Sequence, residues 1–356
     1  MTAIALHSNF AASNVSMMTT IAKTSVFSIF FAALAITRVQ AQTGTTIDQT
    51  SVADSLRNEG MTKAAIMNPL LRQITMSGDY ISKSKFHTDV NGKQVLEGKM
   101  EQYRTASLFN IPVVRWNKNT VGLSVLTLQQ IAHFSEVNNA TTSLNKEQLN
   151  YNKLTVGVTA SFSRIDSLFG VPVYYTAAVT GTSSDVQSVK KMSYLAGAVF
   201  TLKQTRNTRV SLGGMLNIDP SLNIPFLPVI GYWHQFNNGL EIDINLPSRL
   251  ALKQPLARRL WLSAGTNITG NISFFNDQTY VGIPNNVNYS SMELKTGLGL
   301  EYLISKKIMI GINGGIFSNL KSRAFDKDKK ATDYFMESRF GAVPYANLTV
   351  SVLPFL

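Results

Sequence analysis

In a long series of segments every second residue of this chain is apolar, and that period of two constrains the fold more than any other feature. In Met292–Tyr302, residues Met292, Leu294, Leu298, Leu300 and Tyr302 fall on one face, while Glu293, Lys295, Gly297, Gly299 and Glu301 fall on the other. Successive strand side chains point to opposite faces, so the segment has one greasy face and one polar or tiny face. Leu154–Phe162 repeats the pattern, with Leu154, Val156, Val158, Ala160 and Phe162 opposed to Lys153, Thr155, Gly157, Thr159 and Ser161. Leu240–Leu246 and Ile308–Ile316 do the same. A soluble sandwich also alternates, but its outer face would carry more charge than the 15% charged residues found here. The reading is an all-β fold: a transmembrane antiparallel up-and-down β-barrel with lipid outside and a polar interior.

Strand signals lie near 72–84, 98–115, 120–134, 152–164, 171–182, 190–203, 208–216, 225–236, 239–247, 250–256, 259–273, 290–303, 307–318 and 335–355. Pro255 interrupts the 250–256 segment, since proline cannot donate to a ladder. Barrels of this type have even strand numbers, so 12–14 strands are expected. Short connections (117–120, 166–170, 204–208, 237–239 and 305–307) nearly alternate with longer ones (85–92, 135–150, 181–189, 219–223, 275–288 and 321–333). Short periplasmic turns and longer outside loops give that alternation, which puts both barrel ends of the chain in the periplasm.

A leader precedes the strands. Lys23 is followed by the uncharged run Val26–Ile36, then by Val39 and Ala41 at the −3 and −1 positions of a cleavage site. Residues 1–41 therefore read as a signal peptide cleaved after Ala41, with Met17 an alternative start. The apolar run is too short to span a bilayer as a helix. Residues 42–70 form a polar segment, with a short helix expected at 51–58, and act as a periplasmic tail or a small plug. Residues 71–356 form the barrel. Exported barrels of this kind belong to the outer membrane of Gram-negative cells.

The net charge of +12 is scattered rather than striped. It fits contact with anionic lipid head groups, not nucleic-acid binding. Cysteine is absent, which excludes disulfides and thiolate metal sites. The four histidines form no metal-spaced cluster and no cofactor motif is present; His133 with Ser135 is a rim pair rather than a catalytic one. No enzyme activity and no cofactor are expected. The last ten residues alternate up to Val352 and end Pro354-Phe355-Leu356. They resemble the terminal strand that the barrel-assembly machinery recognises, with the aromatic residue penultimate.

The period places a set of charges inward: Arg104, Lys153, Lys191, Lys203, Glu241, Asp243, Glu293, Lys295, Glu301, Glu337 and Arg339. Charges in a confined interior must be paired or wetted. Two readings follow: a passive channel or binding barrel for small solutes with a water-filled lumen, or a closed structural or assembly barrel acting through loops and partners. On either reading Glu301→Gln should cost much less than a charge on the lipid face.

Asn223–Leu250 (NIPFLPVIGYWHQFNNGLEIDINLPSRL), with Pro225, Pro228, Gly231-Tyr232, Asn238-Gly239, Glu241 and Leu246-Pro247, resembles a family of uncharacterised Gram-negative outer-membrane proteins catalogued as a domain of unknown function. The resemblance implies a barrel and supplies no activity or ligand. A looser similarity is to fourteen-stranded fatty-acid transporters, whose N-terminal hatch carries Asn-Pro-Ala; this chain has Asn68-Pro69-Leu70.

Overall fold

The computed structural model describes residues 62, 64–139, 150–184, 188–219, 225–275 and 286–354. The leader, the helix expected at 51–58 and the terminal Phe355-Leu356 lie outside these residues. The strands are β1 (Ile74–Val90), β2 (Lys93–Trp116), β3 (Asn119–Asn139), β4 (Tyr151–Leu168), β5 (Val171–Ser183), β6 (Lys191–Gln204), β7 (Thr208–Ile218), β8 (Phe226–Gln235), β9 (Glu241–Leu246), β10 (Arg249–Ala257), β11 (Leu260–Phe275), β12 (Val287–Leu303), β13 (Ile308–Asp326), β14 (Met336–Phe340) and β15 (Val343–Val352). Neighbours in sequence pair antiparallel from β1 to β13, and β14 and β15 both lie between β13 and β1. These two are successive pieces of one barrel strand, so the fifteen segments close a fourteen-stranded barrel. The segment containing Pro255 is a strand, with Pro255 opposite Trp261 where the register shifts.

Ile74 sits opposite both Val352 and Phe109, so the start of β1 and the end of β15 share one rim with the β2–β3 turn. At the opposite rim the 85–92 segment, expected as a loop, is the top of a hairpin. β1 continues to Val90, and Asn91 and Gly92 turn the chain with φ of 49° and 77°, as a two-residue hairpin requires.

The outer surface has the layering of a membrane wall. Leu298 and Ile312 are 62% and 60% exposed, while Glu293 and Glu301 on the opposite face of β12 are 1% and 9% exposed. Trp116, Phe162 and Tyr302 mark the lower interface and Tyr80, Tyr103, Tyr194 and Phe226 the upper one; all but Phe162 and Tyr80 are more than 40% exposed. Aromatic rings settle at both head-group levels. The hydroxyls of Thr266 and Thr296 bond each other at 2.8 Å, so neither faces hydrocarbon unpaired. Above Tyr80 and Tyr103 the outward positions turn charged: Lys85 and Asp89 on β1, Glu97, Lys99 and Glu101 on β2, Arg323 on β13. The barrel therefore continues into water beyond the bilayer at the end carrying the β1–β2 hairpin tip.

Candidate functional site

The site is the lumen, which changes character along its axis. At the outer end, Phe340, Phe86, Phe134, Tyr151, Phe275 and Tyr289 make a chain of rings with centroids 6.0, 5.2, 6.1, 5.6 and 6.3 Å apart in that order. The first three of these contacts pack with buried Met100 and Ala132 in one apolar cluster. This seal forms because β4 and β11 meet across the lumen. Thr155 Oγ1 donates to Ile272 O at 3.0 Å, and Gln130 Nε2 on β3 donates to Ser273 Oγ at 3.0 Å. β5 pairs with β4 only as far as Val156, and β10 pairs with β11 only as far as Asn267. Above that level β11, β12, β13, β14, β1, β2, β3 and β4 make a narrow eight-stranded tube. Eight strands enclose just enough room for side chains to fill.

Beneath the seal lie bridges between distant strands. Arg104 donates to Glu293 from Nη1 at 2.5 Å and Nη2 at 2.7 Å, and Glu293 also accepts from Asn271 and Ser291. One level lower Lys295 Nζ donates to Asp79 at 2.6 Å, and Asn347 links Asp79 to Asn313.

At the end where β1 begins and β15 finishes, the chain before β1 enters the barrel. A helical stretch at 64–67 presents three carbonyls to cations. Arg72 Nε donates to Ala65 O, Lys253 Nζ to Ile66 O and Arg249 Nη1 to Met67 O, at 3.2, 2.5 and 3.5 Å. Cations suit the unpaired carbonyls at a helix C-terminus. Glu301 balances two of them, 2.5 Å from Arg72 Nη2 and 2.5 Å from Lys253 Nζ, and Asp243 lies 3.4 Å from Arg249. Ala65 is fully buried. Asn68 caps the following turn, Pro69–Leu71, by accepting from Leu70 N at 3.1 Å. The part of residues 42–70 that is described thus tucks into the barrel mouth instead of hanging free.

The wall opposite these charges is built differently. Register puts Gly157, Thr159 and Ser161 of β4 and Ala178 and Thr180 of β5 inward, all small. On β6–β8 the inward set includes Leu195, Gly197, Val199, Gly213, Met215, Leu227 and Val229.

Of the charges expected inward, Arg104, Lys191, Glu241, Asp243, Glu293 and Glu301 are buried on the inner face. Lys295 faces Asp79 there, and Lys153 lies 4.7 Å over the Phe275 ring. Lys191 pairs with Asp219 at 2.5 Å. Glu241 accepts from Trp233 Nε1 and Gln235 Nε2. Three expectations need correction. Glu337 and Arg339 point outward: Ser338 and Phe340 are the inward residues of β14, because the break at Gly341 shifts parity relative to β15. Arg339 is 64% exposed and shares Glu337 with Arg323 on the outer surface. Lys203 follows a register shift between Thr201 and Lys203 and lies opposite Val210, on the lipid-side face at the rim beside the β6–β7 turn. His133 packs edge-on against Tyr103 at 6.2 Å on the outer surface. Sequence reasoning missed Arg72, Lys253 and Arg249: the inward direction of Lys253 and Arg249 follows from the same alternation through β10 once that strand is accepted, whereas Arg72 precedes β1, where no alternation announces it.

The family model for "Domain of unknown function (DUF6268)" matches residues 69–352. The chain belongs to this family. Among the described residues the match covers the whole barrel and begins at the turn that enters its mouth. No curated protein matches the chain. Solved structures with the same kind of fold include the COG4313 outer membrane channel from Pseudomonas putida F1, at 10% identity over 79% of this chain and 96% of that one, TM-score 0.34. They also include a Pseudomonas aeruginosa FadL homologue, at 11% identity over 83% and 94%, TM-score 0.40, and outer membrane phospholipase A from Escherichia coli, at 12% identity over 77% and 89%, TM-score 0.29.

Proposed function

We propose that this member of the family is exported to the outer membrane of a Gram-negative cell, with its signal peptide removed after Ala41, and works as a gated passive channel or binding barrel for small solutes. One observation carries the reading: a lumen lined on β4–β5 by small side chains is closed at one end by an aromatic seal and at the other by a short ion-paired segment. A fourteen-stranded wall is wider than side chains alone fill. The proposal assigns no catalytic step and no cofactor. The terminal strand, with the assembly machinery as its partner, accounts for insertion.

Planar-bilayer recording tests it. The native protein should show rare or small steps, and Phe86→Ala combined with Tyr151→Ala should show frequent larger ones. Silence from both across many insertions favours the second reading, a closed barrel acting through loops and partners, which the two closures also support.

A further inference from the structure

We infer that the barrel admits small apolar or amphipathic molecules from the bilayer through a gap in its wall between β8 and β11, and seats them on an apolar patch inside. This rests on the solute-barrel reading and names the solute class. The gap exists because the β9–β10 hairpin is short. Ile230 opposite Leu246 is the last pair between β8 and β9, and Arg249 opposite Asn267 the last between β10 and β11. Above the hairpin tip, among the described residues, Phe226–Val229 on one side and Ile268–Asn271 on the other have no ladder partner across the opening.

The two edges differ from those of an interrupted ladder. Along β8 the odd residues face β7, since Asn217 N donates to Pro225 O and Gln235 N to Asn207 O. Phe226 and Pro228 therefore face the gap, and Pro228 has no N–H to leave unpaired there. Along β11, Ile268 N donates to Ser248 O, so Gly270 faces the gap, and above it Thr155 of β4 takes the Ile272 carbonyl where the tube closes. Sheet edges are not left against hydrocarbon unless they line a cavity. The outward rim is Phe226, Ile230, Leu246 and Ile268, all apolar, so the opening faces lipid and not aqueous loops. Directly inside it Leu195, Val199, Met215, Leu227 and Val229 point into the lumen from three adjacent strands. Water gains nothing from such a surface, whereas a hydrocarbon group does. Across the lumen the partly exposed Lys295–Asp79 pair offers hydrogen bonds to a polar head.

Photolabelling with a diazirine-bearing ten-carbon alcohol, on the full-length protein in lipid nanodiscs, separates the outcomes. Peptide mapping should show labels on Met215 and Leu227, displaced by unlabelled decanol, besides non-displaceable labels on lipid-facing Leu298 and Ile312. Met215→Glu should cut the inner labels roughly tenfold or more, because an apolar site excludes an unpaired charge, and leave the Leu298 labels as they were. Met215→Gln, milder for folding, should give a smaller loss of the same kind, and heat-modifiable migration verifies that each variant is inserted. Labels confined to the lipid face, or inner labels unmoved by decanol and by both substitutions, overturn the inference. Conductance by the double alanine variant without inner labelling overturns it while leaving the channel reading in place.

Discussion

Arg104 and Glu293, 189 positions apart, meet fork to fork inside the barrel, with Nη1–Oε2 at 2.5 Å and Nη2–Oε1 at 2.7 Å. They come from β2 and β12, which lie four places apart around the wall. The pair therefore braces the lumen directly under the aromatic seal. Both side chains are almost wholly enclosed, at 6% and 1% exposure. A bidentate pair with extra donors to the carboxylate can offset its own desolvation.

Removing one partner strands the other. Glu293→Gln or Arg104→Ala should each cost about 3–5 kcal/mol, read from urea unfolding of the barrel in micelles. Replacing both by leucine should recover most of the loss, since an apolar pair of similar volume is often neutral or better. A double variant no more stable than the singles would show that the bridge is not the brace the geometry indicates.

The two faces of β12 and β13 should respond in opposite ways. Leu298→Arg and Ile312→Arg, both on the exposed apolar face, should cost about 2–4 kcal/mol each near the midplane. The same substitution at Glu97, outward but above the aromatic belt, should cost little. Equal losses at all three positions would mean that the belt does not mark the bilayer edge.

Much of this was legible in the amino acids. The period of two in β4, β9, β12 and β13 separates lipid face from lumen, because a one-residue slip would drive a charge into lipid. Where reasoning went astray, a single residue had shifted the phase. The break at Gly341 turned Glu337 and Arg339 outward, and the shift after Thr201 did the same for Lys203. A bulge leaves no compositional mark, so parity extrapolated through it inverts. The β4–β11 contact was invisible for another reason. Thr155 and Ile272 lie 117 positions apart, and no local pattern announces that two strands will outlast their neighbours and lean together. Lys85–Gly92 looked like a loop because its outward residues are polar, as those of a strand above the membrane also are.

The aromatic seal should trade stability for conductance. Phe86, 4% exposed, touches Phe134 and Phe340, and truncating such a ring costs about 3–5 kcal/mol. Phe86→Leu keeps most of the volume and should cost less than Phe86→Ala while leaving the tube dry. In single-channel records open probability should rank Ala above Leu above the native residue. Any other order would separate the seal from the gate.

The entry segment gives the last test, and here the structure reverses the expectation that neutralising Glu301 is cheap. Its carboxylate holds Arg72 and Lys253 together, each at 2.5 Å, while both reach the carbonyls of the 64–67 turn. Glu301→Gln leaves two enclosed cations side by side without a counter-charge, an arrangement that costs several kcal/mol. Lys253 is fixed in β10, but Arg72 precedes β1 and can regain water by leaving the mouth. The expected result is release of the segment with the barrel intact. Because the chain has no cysteine, Ala65→Cys reports uniquely on that event. Ala65 is fully buried, so an impermeant maleimide should label Ala65→Cys slowly in the otherwise native protein and rapidly in the Glu301→Gln background. Glu337→Gln, which disturbs only the outer surface, should leave the slow rate unchanged. Equal rates in all three would show that the ion pairs do not hold the segment in place.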